Sequence, residues 1–97
     1  MISITAPLQL WTNAEGGVHF MSIPDPQSAE IRLQSTAIGA RRNFGAIRVE
    51  CTIRDVTWRT SVFPQKSGGY FLPVKADVCR RASISAGDEV IVELEIV

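Results

Sequence analysis

The sequence is poor in the residues that carry most catalytic chemistry. Its 97 residues include two cysteines, one histidine and one tyrosine. Cys51 and Cys79 are too few and too far apart for a disulfide framework or a zinc knuckle. A lone His19 has no second imidazole with which to hold a metal, and any Ser-His-Asp constellation would depend on it alone. Ser61 and Ser67 offer hydroxyls, but no nucleophile-elbow glycine pattern surrounds any serine. No apolar run approaches the ~18 residues that span a bilayer. No positively charged stretch followed by an apolar segment opens the chain in the manner of a secretory signal. Net charge is missing as well, because ten basic residues balance ten acidic ones. That argues against a surface built as a whole for nucleic acid. The expectation is a cytoplasmic protein with free thiols, no cofactor, no metal and no membrane association.

What the chain has is alternation. Hydrophobic residues make up 45% of the sequence, enough for one domain over residues 1–97 with a core that needs no staples. Ile4, Ala6, Leu8 and Leu10 alternate with Thr5, Pro7, Gln9 and Trp11, which predicts one half-buried strand. Pro7 donates no backbone hydrogen bond and places that strand at an edge or a bulge. Asn13 to Gly17 supplies a turn, and Val18 to Ile23 returns. Asp25 as N-cap and Pro26 as first helical residue predict a helix over about Pro26 to Thr36. Its expected buried stripe is Ala29, Leu33 and either Thr36 or Ala37, with Gly39 as its stop. Ile47, Val49, Cys51 and Ile53 alternate with Arg48, Glu50, Thr52 and Arg54 in the clearest strand of the chain. Thr57 to Phe63 follows, with Trp58, Thr60 and Val62 on one side. After a loop ending in Gly68-Gly69 come a strand over Tyr70 to Val74, a short helix over about Ala76 to Ala82, and a Gly87-Asp88 turn. In the last strand Val90, Val92, Leu94 and Ile96 point inward. Hairpin, proline stop, helix and strand occur in that order twice.

Charge is unevenly spread. Nine of the ten basic residues lie between Gly39 and Arg81, against three of the ten acidic ones. Solvated strand and helix faces are the ordinary reading of such a bias. The sharper reading is an anion-binding middle, with Arg41, Arg42, Arg59, Lys66, Tyr70, Arg80 and Arg81 as candidate ligand or anion contacts. Tyr70 enters as a stacking partner beside Lys66. Asp88 reads as a turn residue whose carboxylate accepts backbone N–H bonds. Cys51 reads as a small core residue. Cys79, beside Arg80 and Arg81, reads as a half-buried helix residue, or as a thiol of lowered pKa if it is exposed. The large aromatics Trp11, Trp58, Tyr70 and Phe71 read as core or barrel-end packing.

Two resemblances follow from these residues. Phe71-Leu72-Pro73 through Gly87-Asp88-Glu89-Val90-Ile91-Val92 resembles the core of the AbrB/MazE-type swapped-hairpin barrels, over about a quarter of the chain. A fuller match joins Trp58-Arg59-Thr60-Ser61, Pro64, Gly69-Tyr70, Leu72-Pro73-Val74-Lys75 and Gly87-Asp88 with Val90 and Val92. In these the chain resembles the bacterial domain-of-unknown-function family 1905. That resemblance implies a small single-chain double-split β-barrel, or pseudobarrel, and no particular chemistry. The fold expected is therefore mainly β: about six strands, two short helices and pseudo-twofold halves. The function expected is a non-catalytic binding or interaction module that takes an unidentified ligand or protein partner, and a monomer because the barrel closes within one chain. The alternatives are nucleic-acid or phosphate binding through the basic middle, and a small-molecule enzyme with a cleft between the halves holding His19, Asp88 or Cys79.

Overall fold

The computed structural model describes residues 1–38 and 45–97. The strands are β1 (Ile2–Pro7), β2 (Gln9–Asn13), β3 (Gly16–Ser22), β4 (Ile47–Ile53), β5 (Val56–Pro64), β6 (Tyr70–Val74) and β7 (Glu89–Ile96). Helix α1 (Asp25–Ile38) lies between β3 and β4, and α2 (Ala76–Ala82) between β6 and β7. The strands form one antiparallel sheet in the order β1-β7-β4-β5-β6-β3-β2. The element order hairpin, helix, strand thus occurs twice, as the sequence suggests. The basic loop expected over Ala40 to Phe44 and the helix stop expected at Gly39 lie outside the described residues.

The curl of this sheet follows from a single residue. β1 and β2 are consecutive in the chain, with only Leu8 between them, yet they form opposite margins. One extended segment reaches both margins only if the sheet bends until they converge. Leu8 sits at the convergence, 1% exposed. Its N–H donates to the Asp88 carbonyl at 2.9 Å, and its carbonyl accepts the Gly87 N–H at 2.7 Å. The product is a half-barrel. The strand expected to run unbroken from Ile4 to Leu10 and Trp11 is therefore two strands, and the count is seven, not six. Pro7, paired with Glu89, closes the ladder to β7, and the chain then passes to the other margin. The inward positions Ile4, Ala6 and Leu8 stay in phase across the break, so periodicity carries no mark of it.

The inner face is a continuous core. β4 contributes Ile47, Val49, Cys51 and Ile53, and β7 contributes Val90, Val92 and Leu94. Alternation dictates this because successive side chains of a strand leave on opposite faces. β5 joins the two flanks of the sheet: Val56 to Val62 pair with β4, whereas Phe63 and Pro64 pair with β6. α2 packs on β5 and buries Val78, Cys79 and Ala82.

Helix α1 starts at Asp25-Pro26, but its buried line is Ser28, Ile31 and Ser35. The expected stripe does not hold, since Ala29, Thr36 and Ala37 are exposed and Leu33 is 73% exposed. Hydrogen bonds of Ser28 to neighbouring segments decide the phase. The Ser28 hydroxyl donates to the Ile23 carbonyl and accepts the Tyr70 N–H, each at 3.1 Å. The Ser35 hydroxyl donates to the Arg32 carbonyl at 3.0 Å. A satisfied hydroxyl costs little to bury, so a helix with one large inward residue can still be fixed in rotation. Gly69 makes room for this contact. At φ +76° a Cβ there would stand 3.2 Å from the Ser28 Oγ, so glycine serves both the backbone and the space.

Candidate binding surface

Among the described residues, the candidates named from the sequence lie on β5, the β5–β6 turn, β6 and α2. Arg59, outward on β5, pairs with Glu50 of β4 at 3.1 Å. Arg80 and Arg81 of α2 both face Asp77, at 2.7 and 3.7 Å. Exposed pairs of this kind contribute roughly 0–1 kcal/mol. They also partly neutralise the charge a phosphate would seek. Lys66 is exposed in the turn between β5 and β6. Tyr70 is 4% exposed, so its ring offers no stacking platform; the Arg32 guanidinium lies over it at 5.7 Å from the ring centre. Tyr70 is inward because it starts β6 on the parity of Leu72 and Val74, which line the core. Trp58 is buried as well. Arg41 and Arg42 lie outside the described residues.

The groups with catalytic potential are tied to structure. The Asp88 carboxylate accepts the Ser85 N–H at 2.8 Å and braces the turn, where Gly87 holds φ +96°. Burial pushes the Cys51 thiol up to about 12, helped by the neighbouring Glu50 carboxylate. Burial also raises the Cys79 thiol, against a smaller opposing backbone hydrogen bond. Cys79 is buried on α2, and its thiol is the weaker nucleophile for being neutral. His19 is half-buried on β3 between Leu10 and Val74. Among the described residues no group of three His, Cys, Asp or Glu could hold a metal ion.

The outer face of β2, β3, β6 and the end of β5 is different. Strand register aligns Trp11 with Val18, then Gln9, Phe20 and Pro73, then Ser22, Phe71 and Phe63. Side chains of one parity share a face, so five large apolar residues gather on the side away from the core. Trp11 is 56% and Val18 52% exposed, and Phe63 is exposed too. Phe71 stacks on Phe63 at 5.6 Å and meets Phe20 edge-on at 6.3 Å. Trp11, Val18, Phe20, Phe71 and Gln65 line an open groove of about 320 Å³. Gln65 is held there by its amide, which donates to the Tyr70 carbonyl at 2.8 Å. A second cleft of about 270 Å³, beside the β4–β5 hairpin, is lined by residues that include Arg54, Glu89 and Glu93. Neither cavity is lined by His19, Asp88 or Cys79.

Trp11 and Phe71, expected in core or barrel-end packing, lie instead on this outer face. A signal was present. Phe20 next to Met21, and Phe71 between Tyr70 and Leu72, put apolar side chains on both faces of β3 and β6. A sheet with one core needs only one apolar face, so the second is surplus to folding.

Together these features define a small domain built on a curled antiparallel sheet, with a buried inner face and an aromatic outer groove. No helix among the described residues is long and apolar enough to cross a membrane. Residues 5–94 match the family described as Domain of unknown function (DUF1905), and the chain belongs to that family. No curated protein matches the chain.

Proposed function

We propose that this domain is a non-catalytic protein-interaction module that docks an apolar segment of a partner on the groove of Trp11, Val18, Phe20 and Phe71. The observation that carries this reading is the gathering of large apolar side chains on the outer face, where folding does not require them. The openness of the groove favours a protein over a small molecule. Small ligands are usually held in cavities that bury about 70–90% of their surface. Shallow surfaces with exposed Trp and Phe suit the anchoring side chains of a partner. The curled sheet, read as a double-split barrel with a free β2 margin, presents the groove on a rigid wall. Two unpaired, buried thiols suit the cytoplasm. The pairing of Arg59, Arg80 and Arg81 with acids leaves phosphate binding the weaker reading.

Selection of a random peptide library on the folded domain tests this. Enriched peptides should be rich in aromatic and branched residues. Their affinity should fall at least tenfold with Trp11→Ala and with Phe71→Ser. Failure to enrich any sequence, or binding indifferent to both substitutions, would end the reading.

A further inference from the structure

The two margins of the sheet are not alike. β1 is packed by α1, runs beside β3 and ends in Pro7. β2 has none of these protections. It pairs with β3 on one side only, and all five of its residues are exposed. Its sequence, Gln9-Leu10-Trp11-Thr12-Asn13, contains no charge and no proline. Among the described residues, no hydrogen bond beyond the β2–β3 ladder reaches its backbone. Folded proteins normally guard such an edge with lysine, proline, a bulge or a covering loop. In solution water satisfies such a row of N–H and C=O groups, and the row is also a ready template for another extended strand.

We propose that β2 is where a second copy of this chain adds, antiparallel, about a two-fold axis through Trp11. This inference rests on the backbone margin and stands apart from the use of the groove. The β2 segment is compatible with itself. An antiparallel pair centred on Trp11 sets Trp11 against its counterpart, Leu10 against Thr12 and Gln9 against Asn13. No charged side chain meets its own kind, and like charges directly opposite are what most disfavour such a pair. The nearest charge, Glu15, lies in the turn beyond the strand. Two-fold pairing also closes the margin, whereas head-to-tail addition would leave a further free edge. The two outer faces then join, and the paired Trp11 rings lie between two grooves. The core of each copy is complete without the other. The monomer expected from the sequence is therefore the dilute form of a weak dimer.

Sedimentation velocity on the intact chain tests this. Interfaces below about 1,200 Å² are usually weak, so the series should run from about 10 μM to about 1 mM. The mass should rise from one chain towards two. Trp11→Lys and Trp11→Glu, each measured alone, should stay at one chain, because each sets like charges on the axis. Mixed in equal amounts they should recover the dimer. Phe71→Ser, which strips the groove, should dimerise as the wild type does and so separates this proposal from the docking reading. Hydrogen exchange on the unmodified protein gives an independent measure: amide protection in Leu10 to Thr12 should grow with concentration while that of β1 stays constant. A wild type that remains at one chain throughout overturns the proposal. So does a charged variant that dimerises normally, a mixture without recovery, or β2 protection independent of concentration.

Discussion

Replacing Ser28 by Ala removes one oxygen from a site 2% exposed. That oxygen holds three segments together: the Ile23 carbonyl after β3, the first turn of α1, and the Tyr70 N–H that begins β6. The Tyr70 amide then has no acceptor, and the Ile23 carbonyl loses the Ser28 hydroxyl as donor. A buried donor left without a partner costs about 1–3 kcal/mol. For a domain of this size each 1 kcal/mol lowers Tm by about 4–8 °C, so Ser28→Ala should melt about 8–16 °C below the wild type if the cost is about 2 kcal/mol. Ser35→Ala is the control. Its hydroxyl bonds only the Arg32 carbonyl of its own helix, which the Thr36 hydroxyl also meets at 2.9 Å. Alanine is the best helix former, so Ser35→Ala should fall within about 0.5 kcal/mol of the wild type. Urea and thermal unfolding of both variants decide the matter. Equal losses for the two serines, or no loss for Ser28→Ala, would refute the claim that a shared hydroxyl fixes the helix.

Three further outcomes follow from other residues. Arg54 holds φ +56° at the β4–β5 turn while its guanidinium donates to the Ala82 carbonyl at the end of α2, at 2.9 Å. Arg54→Ala loses the bond and keeps the left-handed backbone, whereas Arg54→Gly loses the bond and relieves the backbone. The glycine variant should be the more stable by about 1 kcal/mol in urea denaturation. The Cys51 thiol titrates at about 12 in the fold against an ordinary value of 9.0, so the unfolded chain loses this proton first as pH rises. Its contribution to stability is complete below pH 9 and is lost above it, by up to about 1.4 kcal/mol per pH unit towards pH 12. Unfolding midpoints of Cys51→Ala should fall less steeply with pH than those of the wild type, and parallel slopes would contradict the assignment. Iodide should quench Trp11, which is half exposed, and leave the buried Trp58 untouched. Trp11→Phe should therefore abolish most of the quenching.

The parts of the fold legible in the sequence are those where one face is buried and the other wet. β4 and β7 alternate without interruption, and the turn at Gly87-Asp88 uses residues whose backbone and side-chain chemistry are local. Local pattern could not show what distant contacts decide. Leu8 divides two strands because sheet margins converge on it, and its neighbours alternate as if nothing happened. α1 turns Ser28 inward because Ile23 and Tyr70 await it, while Leu33, the more hydrophobic choice, faces out. The outer groove was visible only as an excess of apolar residues on strands already credited with a core. Composition shows the basic middle but not the ion pairs within it. In three dimensions Arg59 lies on the sheet and Arg80 and Arg81 on a helix, each beside an acid.

The pairing of β1 with β7 has a further effect on how the molecule comes into being. Ser3 and Glu93, hydrogen-bonded at 3.0 Å, stand 90 positions apart. A ribosome releases β1 before its partner β7, with the other five strands and both helices between them. Throughout that interval Ile2, Ile4 and Ala6 have α1 and β3 beside them but not the strand that completes their ladder. Contacts of such long range slow folding and leave apolar surface open to other chains. Synthesis is thus the interval in which the apolar face of β1 is most open to other chains.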